Sequence, residues 1–201
     1  MKKSTLIWII VAAVLGMITV WMIARYNAFV TMQENVEGAW GQVQTQYQRR
    51  ADLVPNAVAV VKAYATHEQQ TFFTVAEARA KAISQMKIDP SNITPEELAK
   101  YQAAQDEFGK IFDQTVLEVK AVAEDNPTLQ SAPVYTKLLD QLEGTENRIA
   151  YARSQFNDLT KEYNAAIRRF PGNIIAGMFG FERRVYFEAE AGAEKAPEVE
   201  L

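Results

Sequence analysis

The side chains able to do chemistry are few and poorly assorted. The 201-residue chain has no cysteine and a single histidine, His67. Thiol nucleophiles, disulfide staples, zinc–cysteine sites and any scheme that needs two imidazoles are therefore excluded. His67 adjoins Glu68, but neighbours on a helix point about 100° apart and make a poor metal pair; no metal and no cofactor are expected. Of nine glycines only Gly109 and Gly144 fall between Gly41 and Gly172, which leaves no glycine-rich cradle for phosphates. Carboxylates are plentiful, yet a hydrolytic pair needs a cleft that helical spacing does not define, so no enzymatic activity is expected. What remains is charge and amide at regular intervals. Glu68 and Arg79 share one inward stripe about 16 Å apart along a helix, so each needs a partner on another helix. Glu146 and Arg153 are one heptad apart on one flank of a later helix, and Asn157 and Asn164 are one heptad apart on its other flank. Asn27, Asn157 and Asn164 each follow an aromatic residue, a pattern that puts a ring near the core and an amide beside it. Such amides are expected to lock the first helix against the last by hydrogen bonds, the alternative being a solvated flank. These seven residues form the expected polar network, read either as ion pairs and amides that fix register or as a polar pocket for a small ligand.

The elements that must position them begin with an anchor. Leu6 to Ala24 carries no charge and, at 1.5 Å per residue, is roughly 28 Å long, which matches a hydrocarbon core of about 30 Å. Trp8, Trp21 and Tyr26 stand near its ends, where amphipathic rings prefer the interface. The run is longer than the apolar part of a signal peptide and ends at Arg25-Tyr26 without a small-residue cleavage pattern, so a retained single-pass span is expected. Lys2 and Lys3 precede it and Arg25 follows; by that one-residue margin the N-terminus is expected in the cytoplasm of a bacterial inner membrane. The formal charge is −4, and it becomes more negative once the two leading lysines are set aside. An acidic body lacks the basic field that nucleic acid requires.

Prolines then divide the chain at Pro55, at Pro90 and Pro95, at Pro127 and Pro133, and at Pro171, leaving four long helical segments at about 26–51, 53–86, 95–124 and 134–170. Thr94 and Glu97 make a capping box with Pro95 at the first helical position. Arg49, Arg50, Asp52 and Pro55 mark the first junction: Asp52 can cap a new helix, and a reversal after Arg50 is the favoured reading beside a kinked continuous helix. The last segment places Tyr135, Leu138, Leu142, Thr145, Ile149, Ala152, Phe156, Leu159, Tyr163, Ala166 and Phe170 on a heptad seam, which calls for coiled-coil-like packing. Segment 95–124 repeats it from Leu98 to Val122. Segment 26–51 shows Phe29, Met32, Val36, Ala39 and Val43. Segment 53–86 runs Val54, Val58, Val61, Ala65, Glu68, Phe72, Val75, Arg79, Ala82 and Met86.

If successive helices reverse, the end of the last one returns to the bilayer. The stretch after it, with Ile174, Ile175, Met178, Phe179 and Phe181 followed by Arg183 and Arg184, is too short to span. It is apolar enough to lie in the interface, with both guanidiniums at headgroup level, or to cap the bundle. The tail from Glu188 to Leu201 has five glutamates against Lys195 and reads as disordered. The expected organisation is thus a short basic start (1–5), an anchor (6–24), a bundle (25–170), an apolar capping or membrane-proximal segment (171–187) and the acidic tail (188–201).

Taken together, Tyr26-Asn27, RRADLVPNAV from Arg49 to Val58, His67-Glu68, Ala78-Arg79, GTENRIAYAR from Gly144 to Arg153, Phe156-Asn157, Tyr163-Asn164, FPGNIIA from Phe170 to Ala176 and Tyr186-Phe187-Glu188 resemble the LemA family of bacterial membrane-anchored proteins. Ala57 and Phe156 depart mildly, standing where leucine and tyrosine would be typical. The resemblance implies an N-terminal anchor and a long antiparallel helical bundle without established enzymatic activity. It also implies a role in membrane organisation, because a member in magnetotactic bacteria is associated with building an intracellular membrane organelle. The expected fold is all-α: a transmembrane helix continuing into an up-down antiparallel four-helix bundle with heptad-like packing. The expected function is a non-catalytic scaffold, with the lipid bilayer, further copies of itself and other membrane proteins as partners. The alternative is a sensory or accessory subunit that binds a small ligand or a membrane protein through the polar positions around Glu68 and Arg79.

Overall fold

The computed structural model describes residues 3–64, 79–80, 82–84, 88–89, 91 and 93–188. Among them the elements are α1 (Lys3–Tyr64), α2 (Pro95–Asp125), α3 (Pro127–Gln130), α4 (Pro133–Arg168) and α5 (Gly172–Phe179). Residues 79–80 and 82–84 are also helical, and no strand occurs among the described residues. His67, Glu68, Phe72, Val75, Met86 and the tail beyond Glu188 lie outside the described residues.

The 62 residues of α1 make a rod about 93 Å long, and its N-terminal part is the one described helix long and apolar enough to cross a membrane. The favoured reversal after Arg50 does not occur, since α1 continues through Asp52 and Pro55 to Tyr64. Asp52 caps nothing; it sits in mid-helix and accepts from Gln48 Nε2 at 2.9 Å. A proline inside a helix cannot donate to the carbonyl four residues back, here that of the fully buried Ala51. Arg79 supplies the donor instead, with Nε 2.9 Å from the Ala51 carbonyl oxygen. The expected junction at residue 52 is thus crossed by one helix as far as Tyr64, and a distant side chain satisfies the group that the proline leaves open.

The start of α2 follows from local chemistry. Thr94 accepts from the Glu97 N–H at 3.2 Å and donates its own N–H to the Glu97 carboxylate at 3.0 Å, and Pro95 occupies the first turn. Pro127 and Pro133 likewise open α3 and α4.

α1 packs most extensively against α4 and next against α2. Trp40 meets Phe156, Arg50 meets Glu146 and Phe29 meets Gly172, so α4 descends as α1 ascends. α2 ascends with α1: Tyr101 lies against Trp40 and Gln105 against Arg50. Residues 181–188 then climb back, Phe181 against Phe29 and Phe187 against Trp40. Two apolar clusters fill the interior. The membrane-side cluster is centred on Phe29, Trp40, Tyr101, Phe156 and Tyr163, and the distal one on Val54, Phe108, Phe112, Leu138 and Leu142.

The heptad seam is not kept to the end of α4. Tyr135 through Phe156 are buried as spaced, but the next buried positions are Thr160, Tyr163, Asn164 and Ile167. Leu159 and Ala166 pack only at the margin, and Phe170 is 80 % exposed. α2 slips in the same way, burying Ala123 rather than Val122 after Val119. An unsupercoiled helix drifts about 20° per heptad against a 3.5-residue repeat, so an extra four-residue step restores the buried face. The packing is that of helices following their own 3.6-residue period.

Candidate functional site

Midway along the head, α1, α2 and α4 bring polar groups into an otherwise apolar interior. Arg50, expected only at a helix junction, is 3 % exposed. Its Nη1 lies 3.2 Å from Glu146 Oε1, and its Nη2 donates to the backbone carbonyl and the side-chain oxygen of Gln105, the latter at 3.1 Å. The guanidinium also stands 5.0 Å from the Tyr47 ring centroid and 5.2 Å from that of Phe108, an arrangement suited to a planar cation. Gln105 completes the layer by donating to the Ala82 carbonyl at 3.1 Å. Gly109 makes room, because a Cβ there would come within 3.0 Å of Arg50 Nη1. A glycine inside a helix with no turn to make was the sequence signal for this close approach.

Glu146 and Arg153, one heptad apart on α4, serve different helices. Glu146 takes Arg50 of α1, while Arg153 reaches Asp106 of α2 at 3.8 Å and stands 4.9 Å from the Phe187 ring centroid. Between them lies a cavity of about 120 Å³ lined by Tyr47, Arg50, Asp106, Glu146, Ile149 and Arg153, among others. Tyr47 Oη, Arg50 Nε and Arg153 Nη2 are buried without a hydrogen-bond partner. Burial pushes the Tyr47 hydroxyl up to about 12, against the opposing pull of Arg153 and Arg50. The neighbouring Tyr101 is raised too, first by burial and then by Tyr47.

Asn157 and Asn164 have a task the sequence reading did not assign. Asn157 Nδ2 donates to the Phe187 carbonyl at 3.0 Å and its Oδ1 accepts the Phe187 N–H at 2.9 Å. Asn164 does the same for Arg184, at 2.8 and 2.9 Å. Each amide thus mimics a peptide group and fastens residues 181–188 along α4; neither bonds to α1. Asn27 is exposed, and its backbone carbonyl accepts from Thr31 Oγ1, so it stands apart from this network. The strap delivers Phe187 to an aromatic knot in which Trp40 is stacked 5.6 Å from Phe187 and lies 5.0 Å from Tyr101 and 5.6 Å from Phe156. Rings from α1, α2, α4 and the strap meet there.

Arg184 is held by this strap. Its Nη2 lies 3.3 Å from Glu37 Oε1 and its Nη1 donates to the Ser91 carbonyl, so it is not free for a headgroup, whereas Arg183 is exposed. Arg79, also placed on the inward stripe, is partly exposed and is engaged by Ala51 and, at 3.4 Å, by Asp52. Arg49 and Pro55 are exposed on the surface of α1.

These features define an all-helical protein with an N-terminal helix fit to cross a membrane and a head whose interior polar residues join its helices to one another. Residues 39–201 match the LemA family, and the chain belongs to that family. It is 31 % identical over 188 residues to magnetosome protein MamQ of Magnetospirillum gryphiswaldense, an alignment covering 85 % of this chain and 68 % of the relative. It is 28 % identical over 185 residues to magnetosome protein MamQ 2 of Paramagnetospirillum magneticum, covering 86 % and 68 %.

Proposed function

We propose that the protein is a non-catalytic, membrane-anchored scaffold that self-associates and organises the bilayer or its proteins, in a bacterial inner membrane with the N-terminus in the cytoplasm. The observation that carries this reading is the continuity of α1. One helix serves as apolar span and as the central rod of the head, so anchor and head turn as one body, and a head so coupled is built to transmit position. The named relatives are magnetosome proteins, which supports a role in shaping or populating a membrane. In this reading the head is an up-down antiparallel four-helix bundle whose descending rod carries residues 79–80 and 82–84. Support comes from Arg79 lying level with Ala51 while Ile88 and Ile93 join the membrane-side cluster. Confinement to a plane raises the effective concentration of such rods and favours association. Chemical cross-linking of the full-length protein in nanodiscs and in intact membranes tests the reading: ladders of two or more copies are expected, and a strict monomer under both conditions removes self-association.

A second reading, an accessory subunit that binds a small ligand, is favoured by the cavity lined in part by Tyr47, Arg50 and Arg153, each of which carries a buried donor without a hydrogen-bond partner. A rise in melting temperature with added small oxyanions supports this role, and its absence in a screen of them removes that ligand class.

A further inference from the structure

α5 has two unlike faces. Ile175 is 1 % exposed and Ala176 4 %, whereas Ile174 is 54 %, Met178 63 % and Phe179 51 % exposed. Phe170, four residues before Ile174, is 80 % exposed. Ile174 and Met178, four residues apart within α5, lie along one side and Phe179 widens it, while the exposed Phe170 stands in the turn just before the helix, so the protein's own core leaves apolar surface open here.

Ring contacts set the depth of this surface relative to the span. The Tyr26 ring centroid is 5.0 Å from that of Phe179 and 5.5 Å from that of Phe181. Tyr26 lies two residues, about 3 Å of helix, beyond the end of the uncharged run, while the headgroup layer on each side of the hydrocarbon core is roughly 5–7 Å deep. Trp21 and Met22, in the last turns of the run, are themselves partly buried against the cluster that contains Ile175 and Ala176. Protein therefore stands beside α1 at headgroup depth, and the part of it there is α5.

We propose that α5, with Phe170, is a second membrane contact. It is an interfacial helix that beds Phe170, Ile174, Met178 and Phe179 into the leaflet from which α1 emerges, with Arg183 exposed nearby and Arg184 turned back to Glu37. The head is then held to lipid at two points, the span and this foot. The inference rests on α1 crossing the bilayer and deepens the scaffold reading by naming lipid as the occupant of this face.

The absence of native cysteine makes a depth measurement direct. Ile174→Cys, Met178→Cys and Gly177→Cys are each nitroxide-labelled in the full-length protein and reconstituted into phosphatidylcholine–phosphatidylglycerol nanodiscs. Leu117→Cys and Val134→Cys, both exposed and away from the membrane-side cluster, are the aqueous references. Gly177 meets nothing within 4 Å of a Cβ, so that variant adds a probe without removing an apolar side chain. The expected result is a several-fold higher ratio of oxygen to water-soluble nickel-complex accessibility at 174 and 178 than at 117 and 134, with 177 following. Water-like ratios at α5 overturn the proposal, and so does low access to both reagents, which would mean that a second copy covers the face. Oligomer number, read from the mass of the same nanodiscs, reports on self-association independently of either result.

Discussion

Pro55 and Arg79 are expected to be energetically coupled although 24 positions separate them in the chain. Pro55 leaves the Ala51 carbonyl without its helical donor, and Arg79 Nε fills that vacancy at 2.9 Å. Replacing Arg79 by alanine in the native chain strands a buried acceptor, which costs about 1–3 kcal/mol. The contact with Asp52 adds little, since Asp52 is exposed and Arg79 partly so and solvent-accessible ion pairs contribute weakly. With alanine at 55, the backbone N–H of that residue closes the ordinary helical bond, and the same Arg79→Ala change then removes a redundant donor at a cost of about 0.5 kcal/mol or less. Pro55→Ala alone is expected to be neutral or stabilising, because the pyrrolidine ring is the residue least suited to a helix interior. The four proteins of the cycle, unfolded by urea in detergent and followed by circular dichroism, should give a coupling energy of about 1–2 kcal/mol. Additivity within about 0.5 kcal/mol would show that Arg79 does not stand in for the missing amide.

Asn157→Ala and Asn164→Ala each delete two hydrogen bonds to the strap, so losses of about 1–3 kcal/mol are expected. The accompanying sign is faster hydrogen exchange at the Phe187 or Arg184 amide; losses below about 0.5 kcal/mol would put both residues in the ordinary surface class. Glycine substitutions in helix interiors should split by sign. Gly38→Ala and Gly41→Ala, which meet nothing within 4 Å, should stabilise by about 0.5–1 kcal/mol. Gly109→Ala should destabilise in the same thermal melts by displacing Arg50, and equal effects at all three would refute the tight fit. High pH should unfold the head: Tyr47 is held protonated up to about 12 by burial, while the unfolded chain ionises it near 10. Stability present below pH 10 is then lost as pH rises toward 12. Tyr47→Phe should flatten that decline, and an unchanged slope would exclude Tyr47 as its source.

Much of the architecture could be read locally. The uncharged run, the Thr94–Glu97 box and the buried stripe from Tyr135 to Phe156 each depend on residues close together in the chain, where helix period, capping chemistry and hydropathy act directly. The sequence also marked Asn157, Asn164, Glu146 and Arg153 as unusual, since polar residues flanking an apolar seam must meet something. What they meet was not legible. Periodicity tells which side of a helix faces inward and nothing about which neighbour stands there, so the strap held by two amides, the Arg50 layer seated on Gly109, and the exposure of Asn27 emerged only in three dimensions. Pro55 shows the difference most sharply. On local chemistry it argues for a break, and the break is averted by a guanidinium brought back from residue 79, because an open carbonyl can be satisfied by any donor that folding places within reach.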